Sequence, residues 1–275
     1  MEKYRYIVAS DLDGTLLNGA DQISPENAKA IEEMSKNGIC FVPCSGRTFG
    51  EMPECVTKNP HIRYYIGSDG ALIYDKLTGE RTELSMSRED VLPVLDLLES
   101  YETVSTVRHG GESFADALTY SDVDFQRCRI SYLYGCFIKY YVKSTEDFST
   151  FIRKLDSIEM ICTFFKDDAE LEECRRKVEA MGKFTVASSE PTNIEIFHRA
   201  AGKGNALLAL ADKLGVPHSN TIGVGDSKND MDMILKAGIS LAMENATDEV
   251  KEAADRIICH YKDHSAKYIL EKIIR

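Results

Sequence analysis

An open parallel α/β sheet, interrupted by a separate α+β module, is the architecture that the sequence predicts. Three observations carry it. Apolar, strand-like runs alternate with amphipathic helical stretches toward both ends of the chain. The texture between about residues 84 and 191 differs from that of the flanks. The flanking apolar runs also stop at short polar clusters of Asp, Ser and Gly, where ligands of open α/β sheets gather. With 275 residues, 43% of them hydrophobic, the chain suffices for about two domains with real cores.

The elements follow in order. "YRYIVAS" is a β-rich run that ends at Asp11. After a loop, "SPENAKAIEEMSKNG" reads as a helix: Ser24 suits the N-cap, Pro25 the first turn, Ala28, Ile31 and Met34 one face, and Gly38 the stop. A second apolar run, "ICFVPC", leads into "SGRT", so the two strands form a βαβ unit and run parallel. The C-terminal third repeats the alternation: strand "TNIEIFH", helix "GNALLALADKLG", strand "TIGVG", helix "DMDMILKAG", "SLAM", helix "ATDEVKEAAD", strand "RIIC" and a last helix "SAKYILEKIIR". Between the two ends, stretches such as "EDVLPVLDLLESY", "GCFIKYYVKS", "IEMICTFFK" and "DAELEECRRKVEAMG" read as mixed helices and strands. The expected organisation is a discontinuous, Rossmann-like α/β core of residues 1–83 and 192–275, carrying an inserted α+β domain of residues 84–191.

Charge narrows the function. Thirty-three Lys and Arg stand against 45 Asp and Glu, a net charge of −12 that repels nucleic acid and anionic membranes. A small phosphate still binds such a protein where a local cation or metal reverses the field. The eight cysteines form no CxxC pair and are expected as reduced thiols in a cytoplasmic protein, since no signal-peptide pattern or membrane-length apolar run is present. "CHYKDH" brings Cys259, His260 and His264 near one another in sequence. They straddle a loop and a helix start, however, and are not expected to converge on zinc.

The polar clusters carry the chemistry. "DLDGT" holds Asp11 and Asp13, "CSGRT" holds Ser45, Gly46 and Arg47, "GKG" holds Lys203, and "GDSKND" holds Asp226, Asn229 and Asp230. In this order and at strand ends, they resemble the four motifs of the haloacid dehalogenase superfamily. The insertion after the second motif resembles its Cof-type phosphatases, which carry a C2B-type cap.

Chemical reasoning gives each residue a candidate role beside that resemblance. A strand-end carboxylate attacks phosphorus to form an aspartyl-phosphate, and Asp11 is the candidate nucleophile. Carboxylates facing a phosphate need a hard cation with oxygen ligands, so Mg²⁺ is expected, with Asp226 supplying a second carboxylate. The resemblance adds the Asp13 backbone carbonyl as a further metal ligand and makes Asp230 a ligand or a support. The Asp13 side chain is then the candidate acid and base, a group that an alkoxide leaving group needs and a halide does not. Ser45, Gly46 and Lys203 are expected around the phosphoryl oxygens, with Asn229 added by family analogy. Arg47 is a candidate for substrate contact or for a structural ion pair.

The sequence also departs from the family pattern. Asp69 in "SDGA" stands where many relatives have Asn, which implies either a simple turn or an altered substrate contact. Glu244 in "AMEN" replaces a common Gly, and "DHSA" lacks the usual Gly-Val. The expected activity is hydrolysis of a small phosphorylated metabolite, such as a sugar phosphate or a nucleotide-like cofactor phosphate. A phosphomutase on the same scaffold and a non-catalytic phospho-switch are the rivals.

Overall fold

The computed structural model describes residues 4–19 and 21–274, which fall into two compact units. One is formed by the chain up to Thr82 together with Gly202 onward, the other by Glu83–Ala201. The first unit is built on a five-stranded parallel sheet in the order Arg256–Ile257, Ile239–Ala242, Thr221–Gly225, Tyr6–Ser10, Ile39–Pro43. Ser10 lies opposite both Val224 and Pro43 in register, so these three strands end at one level. A bridge from Cys44 to Ile66 extends that edge toward the strands Tyr64–Gly67 and Leu72–Asp75.

Alternation of side chains along the strands gives the sheet two buried faces, as a sheet wound on both sides requires. Ile7, Ala9 and Val42 pack against Ala206, Leu207 and Leu210 of the helix Lys203–Leu214. Val8, Phe41, Ile222 and Val224 share the other core with Ala30, Ile31 and Met34 of the helix Pro25–Lys36. Fully buried side chains such as Ile31 and Met34 each stabilise the fold by roughly 1.5–3 kcal/mol. That helix starts as expected, with the Ser24 hydroxyl accepting the Asn27 N–H and Pro25 in the first turn. Its buried face includes Ala30 rather than Ala28.

The second unit holds a six-stranded sheet ordered Phe184–Ala187, Asn193–His198, Met160–Phe165, Thr103–His109, Glu112–Asp116, Lys143–Thr145. It is antiparallel apart from its last pair. Helices Arg88–Leu98, Phe148–Lys154 and Asp168–Ala180 cover one face around Val107, Ile161 and Ile196. Helices Asp122–Arg127 and Tyr132–Tyr141 pack on the opposite face, against Val104, Cys162 and Phe164.

One strand corrects the sequence reading. "TNIEIFH" was expected in the parallel sheet, yet Asn193–His198 pairs antiparallel with two strands of the second unit, which therefore runs on to Ala201. Its composition explains why. Ile194 and Ile196 join the helix-covered core, while Asn193 and Glu195 alternate with them, the period of an antiparallel strand rather than a continuous apolar run. Among the described residues, no helix is long and apolar enough to cross a membrane.

Candidate active site

The common strand level in the first unit assembles the site. Asp11 follows Ser10 and donates its backbone N–H to Val224 O at 3.0 Å, which fixes the end of the central strand beside Thr221–Gly225. Cys44 N–H bonds Ser10 O at 2.8 Å, and Ser45 N–H bonds Ile66 O at 2.9 Å, so the "SGR" loop is tied down from two sides. Asp226 leaves the third strand directly after Gly225. Three carboxylates from distant segments thereby converge: oxygens of Asp11, Asp226 and Asp230 lie within 4.8 Å of one another.

A single buried cation answers this charge. Lys203 is 1% exposed, and its Nζ donates to Asp11 Oδ1 at 2.7 Å and to Asp230 Oδ1 at 2.6 Å. Burial opposes the lysine's charge, but the facing Asp11 and Asp230 carboxylates hold it firmly protonated, above the ordinary lysine range. Asp11 is pushed well above the usual carboxylate range by burial and then by Asp230, against the pull of Lys203. Asp226 rises to about 6, mainly through burial, although the Thr15 hydroxyl donates to its Oδ1 at 2.9 Å. One ammonium does not balance three carboxylates.

Local chemistry explains how each group is held. Lys203 opens the helix Lys203–Leu214, whose first N–H groups, on Gly204 and Asn205, bond Asp232 Oδ2 at 2.9 and 3.2 Å. A Cβ on Gly204 would sit 2.2 Å from Asp232 O, so only glycine permits this approach. Asp230 Oδ2 accepts the N–H groups of Asp226 and Ser227 at 3.0 and 3.1 Å, which shapes the loop that presents Asp226. Gly14 has φ +76°, and a Cβ there would lie 2.6 Å from Asp226 Oδ2. The turn after Asp13 thus needs glycine for both conformation and space.

The other expected residues occupy the same unit with distinct surroundings. The Asp13 side chain is half exposed and clasped by Arg47, with Nη2 to Oδ1 at 2.7 Å and Nε to Oδ2 at 2.9 Å. Arg47 also reaches Asp21 at 3.3 Å, so in this conformation it pairs with acids of its own chain. Ser45 is buried, and its Oγ accepts the Arg47 N–H at 3.2 Å. Gly46 lies beside Asp69: a Cβ at Gly46 would be 3.0 Å from Asp69 Oδ2. Asp69 and Ser68 both take positive φ, 49° and 50°, and their N–H groups bond Ser45 O and Arg47 O at 3.2 and 3.1 Å. Asp tolerates that turn conformation, which accounts for its place in "SDGA". The Asn229 amide contacts Asp69 Oδ1 at 3.4 Å, and Ser227 Oγ donates to Asn229 Oδ1 at 2.5 Å.

Sequence reasoning passed over three residues that support the site. Thr15 holds Asp226, Asp232 anchors the lysine helix, and Asn245 donates to Gly14 O at 2.9 Å while accepting Tyr261 N–H at 3.1 Å. Thr15 stood within "DLDGT", so its motif was a signal. Asn245 stood within "AMEN", next to Glu244, whereas Asp232 had no signal beyond its tertiary position.

A strand-end nucleophile candidate, a buried lysine and an acidic triad on a parallel sheet are the parts of a hydrolase. The family model for haloacid dehalogenase-like hydrolases matches residues 8–270, and the chain belongs to that family. It is an enzyme of that family's phosphatase class. Among its relatives, phosphatase YwpJ of Bacillus subtilis is 28% identical, the match covering 98% of this chain and 99% of that protein. The B. subtilis 5-amino-6-(5-phospho-D-ribitylamino)uracil phosphatase YcsE is 31% identical over 91% of this chain and 88% of its own. A solved haloacid dehalogenase-like hydrolase from B. subtilis superposes with a TM-score of 0.81 at 27% identity, covering 98% of this chain and 99% of that one.

Proposed function

We propose that this enzyme hydrolyses the phosphomonoester of a small soluble metabolite, with Asp11 as nucleophile and Asp13 as acid and base. One observation carries the reading: a fully buried Lys203 bridges Asp11 and Asp230 while Asp226 completes an acidic triad at the same strand ends. Such a centre attracts a phosphate only when its excess negative charge is offset. The donor set is all oxygen, as Mg²⁺ requires, and three carboxylates share the single Lys203 ammonium. Asp11, Asp226 and the Asp13 carbonyl would hold the ion, with Asp230 as ligand or as support for Asp226. Bound there, Mg²⁺ would bring the phosphate to the carboxylates and neutralise developing charge.

The chain's own groups do the rest. Asp11 attacks phosphorus, and the P–O bond to the leaving group breaks as the aspartyl-phosphate forms. Asp13 gives its proton to the leaving oxygen, then takes one from the water that attacks the phosphoenzyme and restores Asp11. Arg47 must release the Asp13 carboxyl for each transfer, because its fork occupies both oxygens. Ser45, the Gly46 N–H, Lys203 and Asn229 are assigned to the transferring oxygens, while Arg47 and Asp69 border them. All these groups lie in the first unit, so substrate choice is assigned to the inserted one. YcsE, named for a ribityl phosphate substrate, supports a sugar-like or cofactor-like phosphate for this chain as well.

The test is Asp13→Asn, assayed with Mg²⁺ on an aryl phosphate and on a panel of phosphorylated metabolites. kcat should fall by about 10²-fold to 10⁴-fold. The first step should suffer less for the aryl phosphate, whose phenolate leaves without help, and rapid quenching should trap phosphate on Asp11. Equal slowing of both substrates with no trapped phosphoenzyme would exclude Asp13 from this role.

Metal binding should also show in stability. The folded, metal-free Asp226 carboxyl titrates near 6 against an ordinary 3.8. Between those pH values the folded state holds more protons than the unfolded one, so raising the pH lowers stability. Mg²⁺ binds the ionised carboxylate and reverses that loss. The rise in Tm on adding Mg²⁺ to EDTA-treated protein should therefore be larger at pH 7.5 than at pH 5, and equal shifts would contradict the assignment.

A further inference from the structure

The helix Tyr132–Tyr141, sequence YLYGCFIKYY, contains one charged residue, and only Gly135 and Ile138 of its ten are buried. A helix that is apolar nearly all round is ordinarily covered on every side. Here Tyr132, Leu133 and Tyr140 are 84%, 80% and 81% exposed, and Cys136 is exposed between them. Positions 132, 136 and 140 are spaced by four, so they form one stripe along the helix. Tyr132 lies against Cys136 and near Asp122, and Lys139 pairs with Asp122. Val123, next to Asp122 in the chain, is itself 74% exposed.

We propose that this stripe is the interface of a homodimer, in which the helix packs antiparallel on the same helix of a second copy of this chain. Area is the first argument. Side chains this open present on the order of 100–200 Å² each, so one copy offers about 600 Å². Two copies would bury about 1,200 Å² together, the lower bound for a stable, specific pairing.

Charge is the second argument, and it selects the partner. Two chains of net charge −12 repel over most of their surface. Residues 117–143 instead carry four basic and two acidic groups, a local +2. Those basic groups are already answered within the chain: Lys139 by Asp122, Arg127 by Asp124, Arg129 by Asp168 and Lys143 by Glu112. What remains is an apolar stripe with its charges balanced around it, the condition for two identical surfaces to meet without repulsion. An acidic partner protein would find no unanswered basic group among these four.

The two-fold arrangement makes a positional claim. Cys136 is the midpoint of the stripe, so an antiparallel pairing about that point sets Cys136 of each copy opposite the other.

The experiment is sedimentation velocity of the purified full chain across the micromolar range, repeated on Tyr132→Glu/Tyr140→Glu, with thermal unfolding as the check on folding. The wild type should sediment as a dimer. The double variant should dissociate with roughly 100-fold weaker affinity while keeping a single cooperative unfolding transition, its Tm lowered only by the stabilisation that dimerisation supplied, because two aromatic anchors are lost and like charges face each other. If the charged pair loses that cooperative transition, Tyr132→Ser/Tyr140→Ser provides the same reading without charge. A short bis-maleimide should cross-link the wild type into a covalent dimer, and Cys136→Ser should remove the product. Three results would overturn the proposal: a monomeric wild type at the highest concentration, a dimer that survives both paired substitutions, or a dimer whose cross-link does not pass through Cys136.

Discussion

Asp11→Asn is expected to abolish turnover of every phosphate ester while leaving the protein folded. The amide is not a nucleophile toward phosphorus, and removing a covalent nucleophile costs on the order of 10⁴-fold or more in kcat. Folding should survive, because the amide oxygen still accepts from Lys203 Nζ, now 2.7 Å from Asp11 Oδ1. The substitution also removes a carboxyl that burial and Asp230 push well above its usual range, which offsets part of the loss of a charged partner. Tm should move by only a few degrees. Steady-state assays on an aryl phosphate, together with calorimetry, check both halves. Retention of most activity would remove Asp11 as nucleophile, whereas an unfolded variant would show that its charge is structural.

Lys203→Met should produce the largest loss of stability. The methionine fills a similar volume but leaves Asp11 and Asp230 facing each other without their cation, at side-chain exposures of 7% and 0%. Stripping one partner from a buried ion pair costs about 3–5 kcal/mol, because the remaining charge is uncompensated. The loss should shrink when Asp230→Asn is added, since that removes one of the stranded carboxylates. A double-mutant cycle by denaturant unfolding measures this coupling, and additive effects would show that Lys203 and Asp230 do not depend on each other. Activity should not return in the double variant if Lys203 also meets the transferring phosphoryl group.

Most of the parallel core was legible, and the reason is local. A strand that ends in a polar turn is written in consecutive residues, so Asp11, Ser45 and Asp226 could be placed at strand ends without knowing their neighbours. The lysine was legible as a member of "GKG", but its bond to Asp230 was not, since that contact depends on how two helix starts pack across 27 residues of chain. The Arg47–Asp13 clasp was open between two readings and takes the form of an ion pair in this conformation. "TNIEIFH" was misplaced because it stands next to the C-terminal α/β alternation in sequence, whereas its partners, Met160–Phe165 and Phe184–Ala187, lie in the insertion. The dangling aromatic stripe on Tyr132–Tyr141 was hidden for a different reason: composition reports that a residue is apolar, not whether anything covers it.

The central strand of the catalytic unit has consequences for how the protein is born. Tyr6–Ser10 leaves the ribosome well before its neighbour Thr221–Gly225, whose Thr221 pairs with Ile7. At about 5–20 residues per second, the nascent chain carries Asp11 and Asp13 for roughly 10–40 s before that neighbour exists. Through that interval Asp11 lacks the Val224 carbonyl that fixes its backbone, and for most of it the Lys203 ammonium as well. The inserted Glu83–Ala201 unit is contiguous and emerges complete within the same interval. Synthesis therefore favours a sequence in which the insertion folds first, as a finished body on a still open chain. Closing the outer unit is then a long-range event, slow by topology, and the cluster of Asp11, Lys203 and Asp226 assembles only with it.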